Sequence, residues 1–204
     1  MHQNSQLLFE KYAKQYFQPG MRVLEVGPSE LPSIYQLVID DTSLIWDTLD
    51  ICENPQLTYS QAPEYEFPIA DSTYNIILSG QVFEHVKKIW LWIKELSRIC
   101  KVDGHVITIN PASWPYHEAP VDCWRAFPEG MKALYEEANL KVLLSRCESI
   151  EGERFCRTIP GRGLDCKARR RKRKINYFLG LFGFPVECSY DTITIGQKYD
   201  IMEE

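Results

Sequence analysis

Apolar residues fall along this chain in two alternating rhythms. Short runs rich in β-branched and aliphatic residues predict strands at Arg22–Val26, Leu44–Leu49, Asn75–Ser79 and His105–Asn110. Lys141–Cys147 and Asp191–Gln197 complete a sheet, and Leu57–Ser60 is a weaker candidate. Between the runs the spacing changes to three and four. Ile89, Trp92, Ile93, Leu96, Ile99 and Cys100 make one apolar stripe that stops at "VDG". A second helix opens at Pro128, where proline suits a first turn, and continues through Met131, Leu134 and Ala138. Phe9, Tyr12, Tyr16 and Phe17 give an N-terminal helix something to pack, with Asn4 or Ser5 as its cap. Strands alternating with helices in this way predict an α/β fold built on a parallel sheet.

Composition narrows the class. The 204 residues suit one domain, residues 1–204, and a chain 45% hydrophobic and 12% aromatic is not disordered. Polar residues break every apolar run at the start, so neither a signal peptide nor a membrane span is expected there. Seven cysteines with no CxxC pair read as free thiols in a reducing, cytoplasmic setting, not as a metal site. The net charge of −5 is unevenly spread. Lys167–Lys174, "KARRRKRK", carries +7 and leaves −12 for the rest of the chain. This run lies in a basic insert, 151–188, between the last two strands.

In an open α/β sheet, ligands bind beyond the carboxyl ends of the strands. "GPSELPS", "LDICENP", "SGQVFEHV" and "NPASWPYHEAPVDCWR" all fall there. The first of these turns keeps only Gly27, with Ser29 and Leu31 where further glycines would admit a pyrophosphate. It also lacks the lysine of a phosphate-binding loop. S-adenosylmethionine has no phosphate, so one glycine for the turn and free amides at a helix start suffice. Asp50 ends the second strand, 23 residues after Gly27, where a carboxylate can accept from both ribose hydroxyls; Asp47 is the alternative.

"VLEVGP", "LDI", "FPIADSTYNIILSGQVFEHV", "LSRICKVDGHVITINP" and "YHEAPVDCWRAFPEGMKALYEEANL", in this order, resemble class I S-adenosylmethionine-dependent methyltransferases. The resemblance is strongest to the small type-11 group that often accompanies lipopolysaccharide and capsule biosynthesis. It implies a Rossmann-like, seven-stranded sheet, mostly parallel with an antiparallel last strand, helices on both faces, and methyl transfer from S-adenosylmethionine. Glu25 would meet the cofactor's amino group, with Gly27, Pro28 and Ser29 in the turn beside it. Asp50 and Ile51 would lie along the ribose, and Glu64 or the backbone around it would hold the adenine. Ser79, Gly80 and Gln81 would form the floor beneath the sulfonium, with Phe83 either there or in the core.

A hydroxyl acceptor is a poor nucleophile until its proton leaves, and histidine is suited to take it. His117 follows the "INP" strand end, where an acceptor enters, and His85 lies in "FEHV". Trp114, Tyr116 and Trp124 offer rings for a sugar face, while Asp122 and Arg125 either read hydroxyls or pair with each other. These features point to O-methylation of a saccharide or glycan precursor. The alternatives are a small natural product or lipid as acceptor, or a binding protein that retains the fold. No metal-ligand cluster and no RNA-binding module is legible. The basic run is suited to an anionic membrane surface at the inner face of a membrane.

Overall fold

The computed structural model describes residues 3–118, 120–150 and 189–200. Six strands form one sheet: β1 Arg22–Val26, β2 Ile45–Leu49, β3 Tyr74–Gly80, β4 Cys100–Ser113, β5 Leu140–Glu148 and β6 Tyr190–Lys198. Their order is β2-β1-β3-β4-β6-β5, and β6 alone runs antiparallel to its neighbours. This is the expected mostly parallel Rossmann-like sheet with an antiparallel last strand. The basic run Lys167–Lys174 lies outside the described residues.

Helices α1 Gln3–Leu8, α2 Ile34–Ile39, α3 Ile89–Ile99 and α4 Pro128–Glu137 cover the two faces. Leu24, Val26, Ile77 and Val106 pack with Trp92, Ile93 and Leu96 of α3 and Met131 and Tyr135 of α4. Val23, Ile76, Leu78, Ile107 and Ile109 pack with Leu8 of α1, Tyr35 of α2 and Phe9 on the other face. Strands buried on both faces read as continuous apolar runs, which is why "NIIL" and "VITI" were legible.

Three expectations change. Among the described residues six strands form, and a seventh is not among them. Leu57–Ser60 contributes one parallel bridge, Leu49 to Tyr59. Thr48 and Thr58 exchange bonds from backbone N–H to side-chain oxygen, both at 3.1 Å, so hydroxyls replace part of a backbone ladder. Pro55 and Pro63 bound this segment and leave little chain for more. Second, Asn4 and Ser5 are not caps. Both lie within α1, fully buried, and donate to Asp191 of β6. Third, α2 is a helix that periodicity missed, because six residues give too short a stripe. Ser33 caps it, accepting from Gln36 N at 3.1 Å.

Candidate active site

Register brings the strand ends level. Leu49 of β2 pairs with Val26 of β1, Val26 with Ser79 of β3, and Ser79 with Thr108 of β4. The next residues, Asp50, Gly27 and Gly80, therefore form one row along the sheet edge. At about 4.8 Å per strand, Asp50 and Gly80 are roughly 10 Å apart, a span an adenosine and its sulfonium can bridge.

Each of these positions has a backbone reason. Gly27 has φ +72°, and its N–H donates to Leu49 O at 2.8 Å. A Cβ on Gly27 would stand 2.3 Å from Val82 Cγ2, and one on Gly80 would stand 2.2 Å from the Tyr35 hydroxyl. Two chain segments therefore approach each other across bare backbone at this turn. Ser79 is buried and donates to Val26 O at 3.3 Å, tying β3 to the end of β1. Pro28 is partly buried, and Ser29 and Ile51 are exposed. Asp50 Oδ1 accepts from Cys52 N at 2.8 Å, and its carbonyl accepts from Ala62 N at 3.0 Å. The 50–52 and 61–64 loops, with Glu64 half-buried in the second, thus form a ledge next to Gly27. The second loop is anchored from below, where Phe67 N donates to Glu95 Oε1 of α3 at 2.6 Å. Asp47 has other partners. It accepts from Arg22 and from the Tyr74 hydroxyl, facing away from the strand ends.

Glu25 is 1% exposed and accepts from Ser33 Oγ at 2.5 Å and Trp46 Nε1 at 3.0 Å. Burial raises its carboxyl to about 7, against the lowering effect of those two bonds. The folded state therefore holds a proton that the unfolded chain releases above about pH 4.5. Stability contributed by this group is full below that pH and is lost as pH rises toward 7. A Glu25→Gln variant is expected to abolish that slope and to gain stability of order 3 kcal/mol relative to wild type at pH 8. Chemical denaturation at pH 5 and pH 8 measures it; equal pH slopes for the two proteins would mean that Glu25 ionises normally.

The Gln81 side chain turns toward α1 and β6. The residue has φ +59°, and its amide donates to Ser5 Oγ at 3.0 Å and Asp191 Oδ1 at 3.1 Å. Its backbone N–H donates to Ile109 O at 2.8 Å, which keeps β3 and β4 joined past Gly80. Phe83 is buried in the core.

The turn 83–85 meets the segments 114–118 and 120–127, and several candidate residues come together there. The rings of His85 and His117 meet edge to face at 5.2 Å. His85 Nδ1 donates to Val121 O in a short bond, and its Nε2 lies 3.8 Å from Glu84 Oε1. His117 N donates to Asp122 Oδ2 at 2.9 Å, and His117 Nδ1 is 3.4 Å from the same oxygen. Arg125 grips Asp122 through two nitrogens and also donates to the carbonyls of Trp114 and Trp124. The Asp122 carboxyl is held down to about 2, chiefly by Arg125, so it remains ionised at any ordinary pH. Asp122 and Arg125 thus do pair, and their pairing sets where His117 sits. Trp124 donates to Val86 O at 2.8 Å and packs on the core. Tyr116 is 70% exposed and Trp114 is half-buried.

Several residues of the crevice were not singled out from the sequence: Ser33 and Trp46 around Glu25, Val82 against Gly27, Tyr35 under Gly80, Glu84, Asn110 and Asp191. An acid beside His85 inside "VFEHV" was the one local signal. The others depend on register.

The fold and the sequence of the strand-end turns agree with what the chain is similar to. A family described as "Methyltransferase domain" matches residues 29–108, the span from the cofactor turn to β4. The match covers less than half of the chain. S-adenosylmethionine is the cofactor, and the chain is an S-adenosylmethionine-dependent methyltransferase. Among solved structures, YcgJ from Bacillus subtilis superposes with a TM-score of 0.62 at 14% identity, over 98% of this chain and 100% of that one. An S-adenosylmethionine-dependent methyltransferase from Archaeoglobus fulgidus gives 0.62 at 15%, over 95% and 92%. A chain from a Haloferax volcanii complex between the Trm112 methyltransferase activator and a methyltransferase gives 0.63 at 14%, over 96% and 91%. At such identities these likenesses carry the fold. No curated protein matches the sequence. No helix among the described residues is long and apolar enough to cross a membrane.

The cradle fits the cofactor. The bare backbone at Gly27 opens the turn, and Asp50 stands at the adjoining strand end. Glu25 is a buried acid with no cationic partner among the described residues. When bound, S-adenosylmethionine supplies an activated methyl group on a positive sulfur.

Proposed function

We propose that this methyltransferase acts on a hydroxyl of a saccharide or glycan precursor, as in the type-11 group associated with lipopolysaccharide and capsule biosynthesis. The observation that supports this acceptor class is the 114–127 loop: an exposed Tyr116 ring and a half-buried Trp114 beside a histidine held by the Asp122–Arg125 pair. Rings of this kind cover pyranose faces, and charged groups read their hydroxyls. In this reading Glu25, Gly27, Pro28 and Ser29 receive the methionine end of the cofactor. Asp50 and Ile51 receive the ribose, Glu64 the adenine edge, and Ser79, Gly80 and Gln81 shape the floor. His117 takes the acceptor's proton, with His85 its neighbour in reserve. Held there, S-adenosylmethionine would supply the activated methyl group, and His117 would hold the acceptor's proton until solvent removes it. The basic run 167–174 is assigned to docking at an anionic surface on the inner face of a membrane.

Transfer of label from S-adenosylmethionine into separate acceptor pools tests the substrate class. Nucleotide-sugar and polysaccharide precursors are expected to become labelled. Label confined to lipids or to phenolic natural products would replace the saccharide reading with one of those.

The ribose assignment has its own measurement. Asp50→Asn keeps the oxygen that accepts from Cys52 N and removes the charge. It is expected to weaken S-adenosylhomocysteine binding by about 1.5–3 kcal/mol, the scale of a charge-assisted hydrogen bond. Wild-type affinity by calorimetry would move the ribose away from Asp50.

A further inference from the structure

We propose that Glu84, His85 and His117 form a binding site for a divalent transition-metal cation, assembled between the turn after β3 and the loop after β4. One ring nitrogen of each histidine and one carboxylate oxygen of Glu84 lie within 4.8 Å of one another. Ligands around a tetrahedral zinc, each about 2.0–2.2 Å from the ion, stand roughly 3.3–3.5 Å apart. His85 Nε2 and Glu84 Oε1, at 3.8 Å, are already near that spacing.

Two further observations point to a ligand. Glu84 is 1% exposed, and its Oε2 has no hydrogen-bond partner among the described residues. A buried carboxylate oxygen left bare is costly, and native proteins rarely leave one so without a reason. The histidines are also presented as metal ligands usually are. His85 directs Nδ1–H to the Val121 carbonyl, which leaves the Nε2 lone pair facing Glu84. His117 Nδ1 is buried with no hydrogen-bond partner among the described residues, 3.4 Å from the Asp122 carboxylate that Arg125 holds.

The surrounding charge favours a cation. Asp122 and Asp191 act on Glu84 with the same sign as each other, and Arg125 opposes them. Two imidazoles and one carboxylate suit zinc and its first-row neighbours. Calcium and magnesium prefer oxygen donors throughout. Three protein donors leave a coordination position open toward the acceptor side. The site itself does not depend on the acceptor's identity, although its consequence rests on the methyl-transfer reading above. A histidine that holds a cation is not a free base, so cation occupancy and proton acceptance by His117 are alternatives at one ring.

The test uses the full chain freed of metal by chelation. Zinc titration by calorimetry is expected to show one site. Cobalt substitution is expected to give ligand-field bands without thiolate-to-metal charge transfer, which separates this site from the free cysteines. His85→Ala and His117→Ala should each weaken zinc by more than the roughly 10–100-fold that outer-shell changes produce. Glu84→Gln, which preserves volume, should weaken it with an unchanged melting temperature in the metal-free protein. No binding, thiolate bands, or wild-type zinc affinity in either histidine variant would overturn the site. S-adenosylhomocysteine binding and methyl transfer by the metal-free protein report separately on the catalytic reading. If both persist while zinc does not bind, the cation site falls and that reading stands.

Discussion

Gly27→Ala is expected to abolish measurable S-adenosylhomocysteine binding, a loss of at least about 100-fold, or some 2.7 kcal/mol. Two costs combine. At φ +72° an L side chain is strained by about 1 kcal/mol relative to glycine. The larger cost is contact, because the new Cβ would lie 2.3 Å from Val82 Cγ2. Val82 is β-branched and has few alternative rotamers. It sits between Gln81, itself at positive φ, and the 83–85 turn. Relief must therefore come from displacement of the loop after β3 or of the Gly27 turn. Either movement closes the gap the cofactor needs. Val82→Ala in the same chain removes the clashing methyl, so the double variant is expected to regain part of the lost affinity while the backbone strain remains. Should Gly27→Ala unfold the protein, the double variant gives the reading. Wild-type affinity in Gly27→Ala would mean the cofactor does not pass over this turn.

His117→Ala is expected to lower turnover by on the order of 100-fold or more, with S-adenosylhomocysteine affinity nearly unchanged. The separation follows from position. His117 lies on the loop after β4, whereas the cofactor cradle proposed above is built from the ends of β1 and β2. The ring is aimed through its backbone, since its own N–H is held by Asp122 at 2.9 Å. Asp122 is in turn fixed by Arg125, which also holds the carbonyl of Trp114 at 3.2 Å. Because the Asp122 carboxyl is kept near 2, it does not titrate in the working range, and any acid limb in turnover there would belong to another group. The measurement is made on metal-free enzyme, so that loss of a base is not confused with loss of a cation ligand. A similar loss in His85→Ala with intact cofactor binding, and none in His117→Ala, would transfer the role to His85. No loss in either would leave positioning alone to carry the reaction.

What was legible from residue order was local. The strands β1, β3, β4 and β6 and the helices α3 and α4 follow from spacing of apolar residues, because a period of two or of three to four is written directly into neighbouring positions. Gly27 and Asp50 were legible too, since a glycine ending one strand and an acid ending the next occupy places that the α/β topology defines. The short helix α2 escaped because six residues cannot show a stripe, and Leu57–Ser60 stopped at a single bridge because hydroxyls and prolines limit its ladder. Asn4 and Ser5 look like caps in sequence, and only the approach of β6 makes them partners of Asp191. Ser33 and Trp46 reach Glu25 from two different elements, and no local pattern connects them. The meeting of Glu84 and His85 with His117, and of His117 with the Asp122–Arg125 pair, belongs to the tertiary structure in the same way. It arises because parallel pairing of β3 with β4 sets their ends level, so two loops far apart in the chain must share one space. Periodicity specifies which face of an element is buried; strand register decides which loops meet above it.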